Sequence, residues 1–127
     1  MRFRCPAARP VNSLMLENWQ LEFDLHATIR PCQGSAVPGC VWEITDGCEL
    51  SLDVFEGYPT YYTKQTVVQN GVEYMVYIMN SDLTSPPRQS YVTTVAEGYM
   101  DWELPFDYLK SALERSKSAD CDIIKLT

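Results

Sequence analysis

The dipeptide Asn70-Gly71 constrains this chain more than any other feature, because it separates two runs rich in β-branched and aromatic residues, Tyr61 to Gln69 and Val72 to Met79. Asparagine followed by glycine accepts positive φ at both central positions of a type I′ turn, whose twist matches that of two antiparallel strands. The segment is therefore expected to form a tight β-hairpin. A second strand signal lies upstream. Trp19, Leu21, Phe23 and Leu25 alternate with Gln20, Glu22 and Asp24, the period-two pattern of a strand with one buried face. Ala27 to Cys32 reads as a short strand, Gln33-Gly34-Ser35 as a turn, and Val37 to Ile44 as a further strand, with Gly39 marking a bulge or a close backbone approach.

Three helices are expected between and after these strands. Asp46 can cap a helix in which Glu49 follows three residues later, as in a capping box, and Leu50, Val54 and Phe55 recur at helical spacing. Gly57-Tyr58-Pro59 stops it. Ser85-Pro86-Pro87 has the order of cap followed by proline that opens a helix, with Val92, Val95, Ala96 and Tyr99 as its buried stripe. A last helix from about Pro105 to Arg115 presents Phe106, Leu109 and Leu113. The tail, residues 117–127, is polar at first, but Cys121 to Leu126 carries Ile123, Ile124 and Leu126 and could add a strand. Together these elements predict an α+β domain on an antiparallel or mixed sheet, strongly curved or closed into a small barrel.

A chain of 127 residues is expected to form one domain, 1–127. With 46 % hydrophobic residues and three tryptophans it is not a disordered sequence, and it lacks an apolar run near twenty residues that could span a membrane. Seventeen acidic against ten basic residues give a formal net charge of −7, a field that repels phosphate backbones and argues against general nucleic-acid binding. The opening MRFRCPAARP is positively charged but has no apolar stretch behind it, so it does not read as a signal peptide. Five cysteines, Cys5, Cys32, Cys40, Cys48 and Cys121, are odd in number and contain no C-x-x-C. They suggest neither a closed disulfide set nor a zinc site, and they read as free thiols in a reducing cytoplasm. The single histidine, His26, sits in a strand-like segment and reads as an ordinary strand residue rather than half of a Cys–His nucleophile pair.

With no metal-ligand pattern, phosphate loop or Ser–His pair, the candidates for chemistry reduce to carboxylates. Glu56 has the most suggestive neighbours. It ends the helix in Leu52-Asp53-Val54-Phe55-Glu56-Gly57-Tyr58, where apolar groups surround one acid and glycine lets the backbone turn. Partial burial of such a carboxyl would raise its pKa toward neutrality, which suits a general acid/base. The plainer reading, a solvated helix-end glutamate, fits the spacing alone at least as well.

Val37-Pro38-Gly39-Cys40-Val41-Trp42-Glu43-Ile44, then Leu52 to Pro59 and Tyr62, resembles the centre of the γ-glutamylcyclotransferase-like, or AIG2-like, family. That family has a glycine-containing strand with a VxW stretch, a helix ending LDxxEG and a tyrosine shortly after. Pro87, Tyr91, Gly98, Leu104-Pro105 and Tyr108 resemble its closing pattern, so the likeness runs from about Arg2 to Ser116. The resemblance implies that Glu56 is the acid/base residue of a reaction in which the α-amine of a γ-glutamyl group attacks its own γ-carbonyl. An amine or amino acid leaves, and 5-oxoproline remains. Intramolecular attack needs positioning more than nucleophile strength, so the resemblance implies no metal and no cofactor. It places Tyr62 and Tyr91 near the substrate, with Arg4 as a further candidate for an anionic substrate group.

The sequence departs from the family at one point. Members begin with a strand ending in a tyrosine-glycine-serine-asparagine or tyrosine-glycine-serine-leucine loop that holds the glutamyl moiety. This sequence has no such loop, and Arg2 to Ala8 resembles the segment that follows it. The chain is thus expected to start about one strand and one loop late, through a missing start, a natural short form, or replacement of the strand. Cys121 to Leu126 is one candidate replacement, and a second subunit, making a homodimer, is another. The alternative to an enzyme is a non-catalytic binding or interaction domain of the same fold.

Overall fold

The computed structural model describes the backbone of residues 5–126 and the side chains of residues 5–117. The element order is β1 (Arg9–Asp24), β2 (His26–Glu43), α1 (Asp46–Glu56), β3 (Tyr62–Gln69), β4 (Val72–Met79), α2 (Gln89–Asp101) and α3 (Asp107–Leu126). The strands form two antiparallel two-stranded sheets, β1 with β2 and β3 with β4. This is an α+β architecture, as the alternating and helical sequence patterns imply. The chain divides into two compact units, one from Met1–Leu14 with Cys40–Asn80 and the other from Met15–Gly39 with Ser81–Thr127.

In the first unit the hairpin forms as the Asn70-Gly71 signal predicts. Asn70 (φ 52°) and Gly71 (φ 77°) both occupy the left-handed region, and the register runs from Gln69 opposite Val72 to Tyr62 opposite Met79. Helix α1 is capped not by Asp46 but by Thr45, whose Oγ1 accepts from the Cys48 N–H at 3.1 Å. Glu49, expected to complete a capping box, instead pairs with Lys64. Cys48 and Leu52, four residues apart, form the buried face of α1, and Tyr62, Val67 and Met79 are buried on the hairpin. The expectation of free thiols fails for two cysteines. Cys5 and Cys48 form a disulfide with their Cα atoms 5.3 Å apart, while Cys32 and Cys40 are free. An odd count excluded only a complete pairing of all five, and residues 43 apart can meet once the chain folds back on itself.

In the second unit the alternation holds over Trp19, Leu21 and Phe23 and fails at Leu25, which lies beyond the end of β1 and is 51 % exposed. Phe23 is fully buried, worth about 1.5–3 kcal/mol of transfer free energy, while Gln20, Glu22 and Asp24 lie half-exposed. The turn expected at Gln33-Gly34-Ser35 is not a turn, for β2 runs through it. Gly34 (φ 85°) faces a matching irregularity at Asn18 (φ 66°), whose side-chain oxygen accepts from the Gly34 N–H at 3.2 Å. Paired left-handed residues let both strands bend there without ending the ladder. Leu25 (φ 62°) alone connects β1 to β2.

Helix α2 begins at Gln89, four residues after the serine expected to cap it. Ser85 is taken up by β1: its N–H donates to Phe23 O at 3.0 Å and its hydroxyl donates to Asp24 Oδ1 at 2.8 Å. Residues 121–126, expected as an added strand, belong to α3 instead. No glycine or proline occurs between Asp107 and Leu126, so nothing in the sequence stops the helix. Among the described residues no helix is long and apolar enough to cross a membrane.

Candidate functional site

Glu56 is the last residue of α1, half-buried, and the backbone around it is determined on both sides. Gly57 turns left-handed (φ 68°), its N–H donating to Val54 O at 3.2 Å, and the Tyr58 N–H donates to Asp53 O at 2.9 Å. This is the Schellman pattern of a glycine-ended helix. A Cβ at Gly57 would meet Tyr61 Cβ at 3.1 Å, so both the conformation and the space favour glycine. The chain then passes a cis Tyr58–Pro59 bond, and the Asn80 side-chain amide donates to Pro59 O at 2.8 Å and Thr60 O at 3.0 Å, tying the turn to the end of β4.

Glu49, Asp53 and Glu56 are spaced four and three residues apart, which aligns them along one face of α1. Across from that face, Lys64 on β3 and Tyr77 on β4 are direct cross-strand partners. Lys64 Nζ donates to Glu49 Oε2 at 2.6 Å and to Asp53 Oδ2 at 3.1 Å, and it lies 4.4 Å from the centre of the Tyr58 ring. Tyr77 donates its hydroxyl to Asp53 Oδ1 at 2.6 Å. Asp53 is thus the hub that joins the last turns of α1 to the hairpin.

The charges respond accordingly. The Tyr77 hydrogen bond holds the Asp53 carboxyl below its ordinary value; partial desolvation opposes it, and the Lys64 ammonium adds to the lowering. Glu49 and then Asp53 hold the Lys64 ammonium above its own. Burial raises the Tyr77 phenol most, helped by its bond to Asp53 and by the charges of Asp53, Glu49 and Glu56. Tyr77 therefore stays neutral through the physiological range and keeps a proton to donate. Glu56 lies close enough to this cluster for its charge to act on Tyr77.

The other sequence candidates are placed as follows. Tyr62 opens β3 in the same unit as Glu56, is 7 % exposed, and meets the Tyr61 ring edge-on at 5.1 Å. Tyr91 lies in the first turn of α2 in the second unit, where its hydroxyl accepts from the Ala27 N–H at 3.0 Å and its ring contacts Phe23 at 6.4 Å and His26 at 5.0 Å. That hydroxyl anchors the start of β2. Arg4 lies outside the described residues. Among the described residues no group of three or more His, Cys, Asp and Glu side chains could hold a metal ion. Lys64 and Tyr77 were not singled out from sequence, yet a signal existed: they are equidistant from Asn70-Gly71, and a two-residue turn places such residues opposite each other.

The sequence model of the family described as "Gamma-glutamyl cyclotransferase, AIG2-like" matches residues 2–103. The chain belongs to this family. Among solved structures, a protein described as γ-glutamyl cyclotransferase superposes with a TM-score of 0.72 at 25 % identity, covering 87 % of this chain and 76 % of its own. An uncharacterized protein from Homo sapiens gives a TM-score of 0.72 at 26 % identity over the same shares. An uncharacterized protein from Pyrococcus horikoshii, 15 % identical, shares the fold with a TM-score of 0.59 over 79 % of this chain and 85 % of its own. No curated protein matches the sequence. The family match spans the LDxxEG segment with Glu56, both strands of the hairpin and helix α2.

Proposed function

We propose that this protein cyclises the γ-glutamyl end of a small amide or peptide to 5-oxoproline, with Glu56 as general acid/base. The observation that carries the reading is the placement of Glu56: a half-buried carboxylate at a helix end, fixed by a left-handed glycine and a clamped last turn, inside the segment that the family match covers. In the reaction the Glu56 carboxylate takes a proton from the substrate α-ammonium. The freed amine attacks the γ-carbonyl, forming the ring C–N bond and a tetrahedral oxyanion. The ring nitrogen, which carries two hydrogens after the attack, gives up one to solvent, and collapse of the oxyanion breaks the bond to the leaving nitrogen, which receives the proton from Glu56. One carboxyl group, restored at the end of each turn, serves both transfers. Because nucleophile and electrophile belong to one molecule, most of the barrier reduction comes from holding the substrate in a ring-closing conformation.

Rigidity at Glu56 is what such a step requires, since a carboxylate that swings by an ångström loses its reach to one of the two nitrogens. The Asp53 hub supplies that rigidity. Tyr62, a buried residue of the same unit, is the nearer of the two candidate tyrosines to Glu56 in sequence, and we assign it to substrate contact. The test is to incubate the protein with γ-glutamyl dipeptides and γ-glutamylamines and to follow 5-oxoproline by mass spectrometry. Release from at least one class supports the reading. Saturable binding without release would move the assignment to the binding-domain alternative, and neither binding nor release from any member of the panel would overturn both.

A further inference from the structure

We infer that the second unit carries a binding site for a small oxyanion, of phosphate or carboxylate type, in the cleft where α3 faces the β1–β2 hairpin. The cleft has a volume of about 190 Å³, enough for such a group with a few attached atoms. Tyr108, Ser111 and Arg115 line it from α3 at spacings of three and four, which puts them along one helix face. Gln20 and Leu21 of β1 and Ser35 of β2 line it from the hairpin.

The chemistry of this lining is one-sided. Arg115 Nη2 donates to the Leu21 carbonyl at 2.7 Å, and this single bond aims a guanidinium that has further N–H donors. Arg9, Arg30 and Lys64 are each paired with a carboxylate, whereas Arg115 has no carboxylate within ion-pair distance among the described residues. Glu22, the nearest acid to Gln20 along β1, is held by Arg30 at 3.0 Å. The Gln20 oxygen accepts from the Cys32 thiol at 3.6 Å, which leaves the amide N–H₂ as its donor end. The hydroxyls of Ser35, Tyr108 and Ser111 are engaged by no partner among the described residues. The cleft thus presents a planar guanidinium, an amide donor and three hydroxyls, and no lining side chain is acidic. In a chain of net charge −7, an arginine with no carboxylate partner among the described residues, set among donors, is a recognition element for a group that accepts hydrogen bonds and carries negative charge. No residue of this site lies in the unit that contains Glu56, so the inference stands independently of the cyclotransferase reading.

The test titrates the protein, ¹⁵N-labelled and at low ionic strength, with inorganic phosphate and separately with succinate, following backbone amide shifts. Saturable shifts at Gln20, Ser35 and Ser111 that weaken as salt is added are expected from at least one of the two. The two arms separate a phosphate from a carboxylate preference. Arg115→Gln should weaken the affinity at least tenfold and Arg115→Lys less, while Ser111→Ala, which leaves the Leu21 contact intact, should weaken it by a smaller factor. Absence of saturable shifts in these residues with either anion, or shifts of equal affinity in wild type and Arg115→Gln, would overturn the site.

Discussion

Replacing Gly57 by alanine probes the turn that fixes Glu56. The native φ of 68° is left-handed, and an L-residue with a Cβ occupies that region at a cost of about 1–2 kcal/mol. Alanine also restricts the unfolded chain, which offsets roughly 0.4–1 kcal/mol of that cost. The new Cβ would lie 3.1 Å from Tyr61 Cβ, an atom fixed by its own backbone, so part of the Tyr58–Tyr61 turn must shift. Because the Tyr61 N–H donates to Gly57 O at 2.8 Å, that shift strains a hydrogen bond as well, restoring about 1 kcal/mol of penalty. The net expectation is a loss of about 1–2 kcal/mol, equivalent to a fall in Tm of roughly 4–8 °C for a chain of this size. Asparagine tolerates left-handed φ better than alanine, so Gly57→Asn should lose less. Urea denaturation followed by tryptophan fluorescence measures both. A Gly57→Ala protein within 0.5 kcal/mol of wild type would refute the reasoning, and an asparagine variant less stable than the alanine one would show that backbone conformation is not the governing term.

Three further outcomes follow from the same structure. Reducing the Cys5–Cys48 disulfide should lower stability by about 4 kcal/mol in the chain-entropy account of a cross-link between residues 43 apart; mass mapping without reductant checks the pairing and a melt with and without dithiothreitol checks the effect, which an unchanged Tm would contradict. Asp24 is held below its ordinary carboxyl value chiefly by hydrogen bonds from Ser81 and Ser85. Its contribution is therefore present above the unfolded value near 3.8 and is lost as pH falls through the lower folded value, so Asp24→Asn should flatten the stability curve below pH 4 and leave its alkaline side unchanged. Burial pushes the Cys40 thiol up to about 11, so at pH 8 it should react with iodoacetamide far more slowly than a model thiol, and labelling at the model rate would contradict the burial.

What the sequence made legible was local. Asn70-Gly71 determined a hairpin because only particular residues accept both turn conformations, and Trp19-Leu21-Phe23 determined a strand face because alternation has no other use in a short run. Glu56 became a candidate through the LDxxEG resemblance and not through its spacing. The failures share a physical origin, which is competition for a group by a distant partner. Ser85 has the side chain of a helix cap but spends its hydroxyl on Asp24, and Glu49 leaves a capping box for Lys64. Cys5 and Cys48 met only because the chain folds back, a fact that no count of cysteines carries. The continuous β2 strand was hidden because Gln33-Gly34-Ser35 has turn composition, whereas Asn18 across the ladder turns that glycine into a bend.

The central claim is that the Glu56 carboxyl moves the proton. The measurement that tests it most directly compares wild type with Glu56→Gln on the best γ-glutamyl substrate, following 5-oxoproline formation under saturating conditions, with circular dichroism confirming that both are folded. Glutamine keeps the shape and loses the proton-transfer group, so the account predicts a fall in kcat of about 10²–10⁴-fold with KM little changed. A Glu56→Gln protein that turns over within a fewfold of wild type would contradict it.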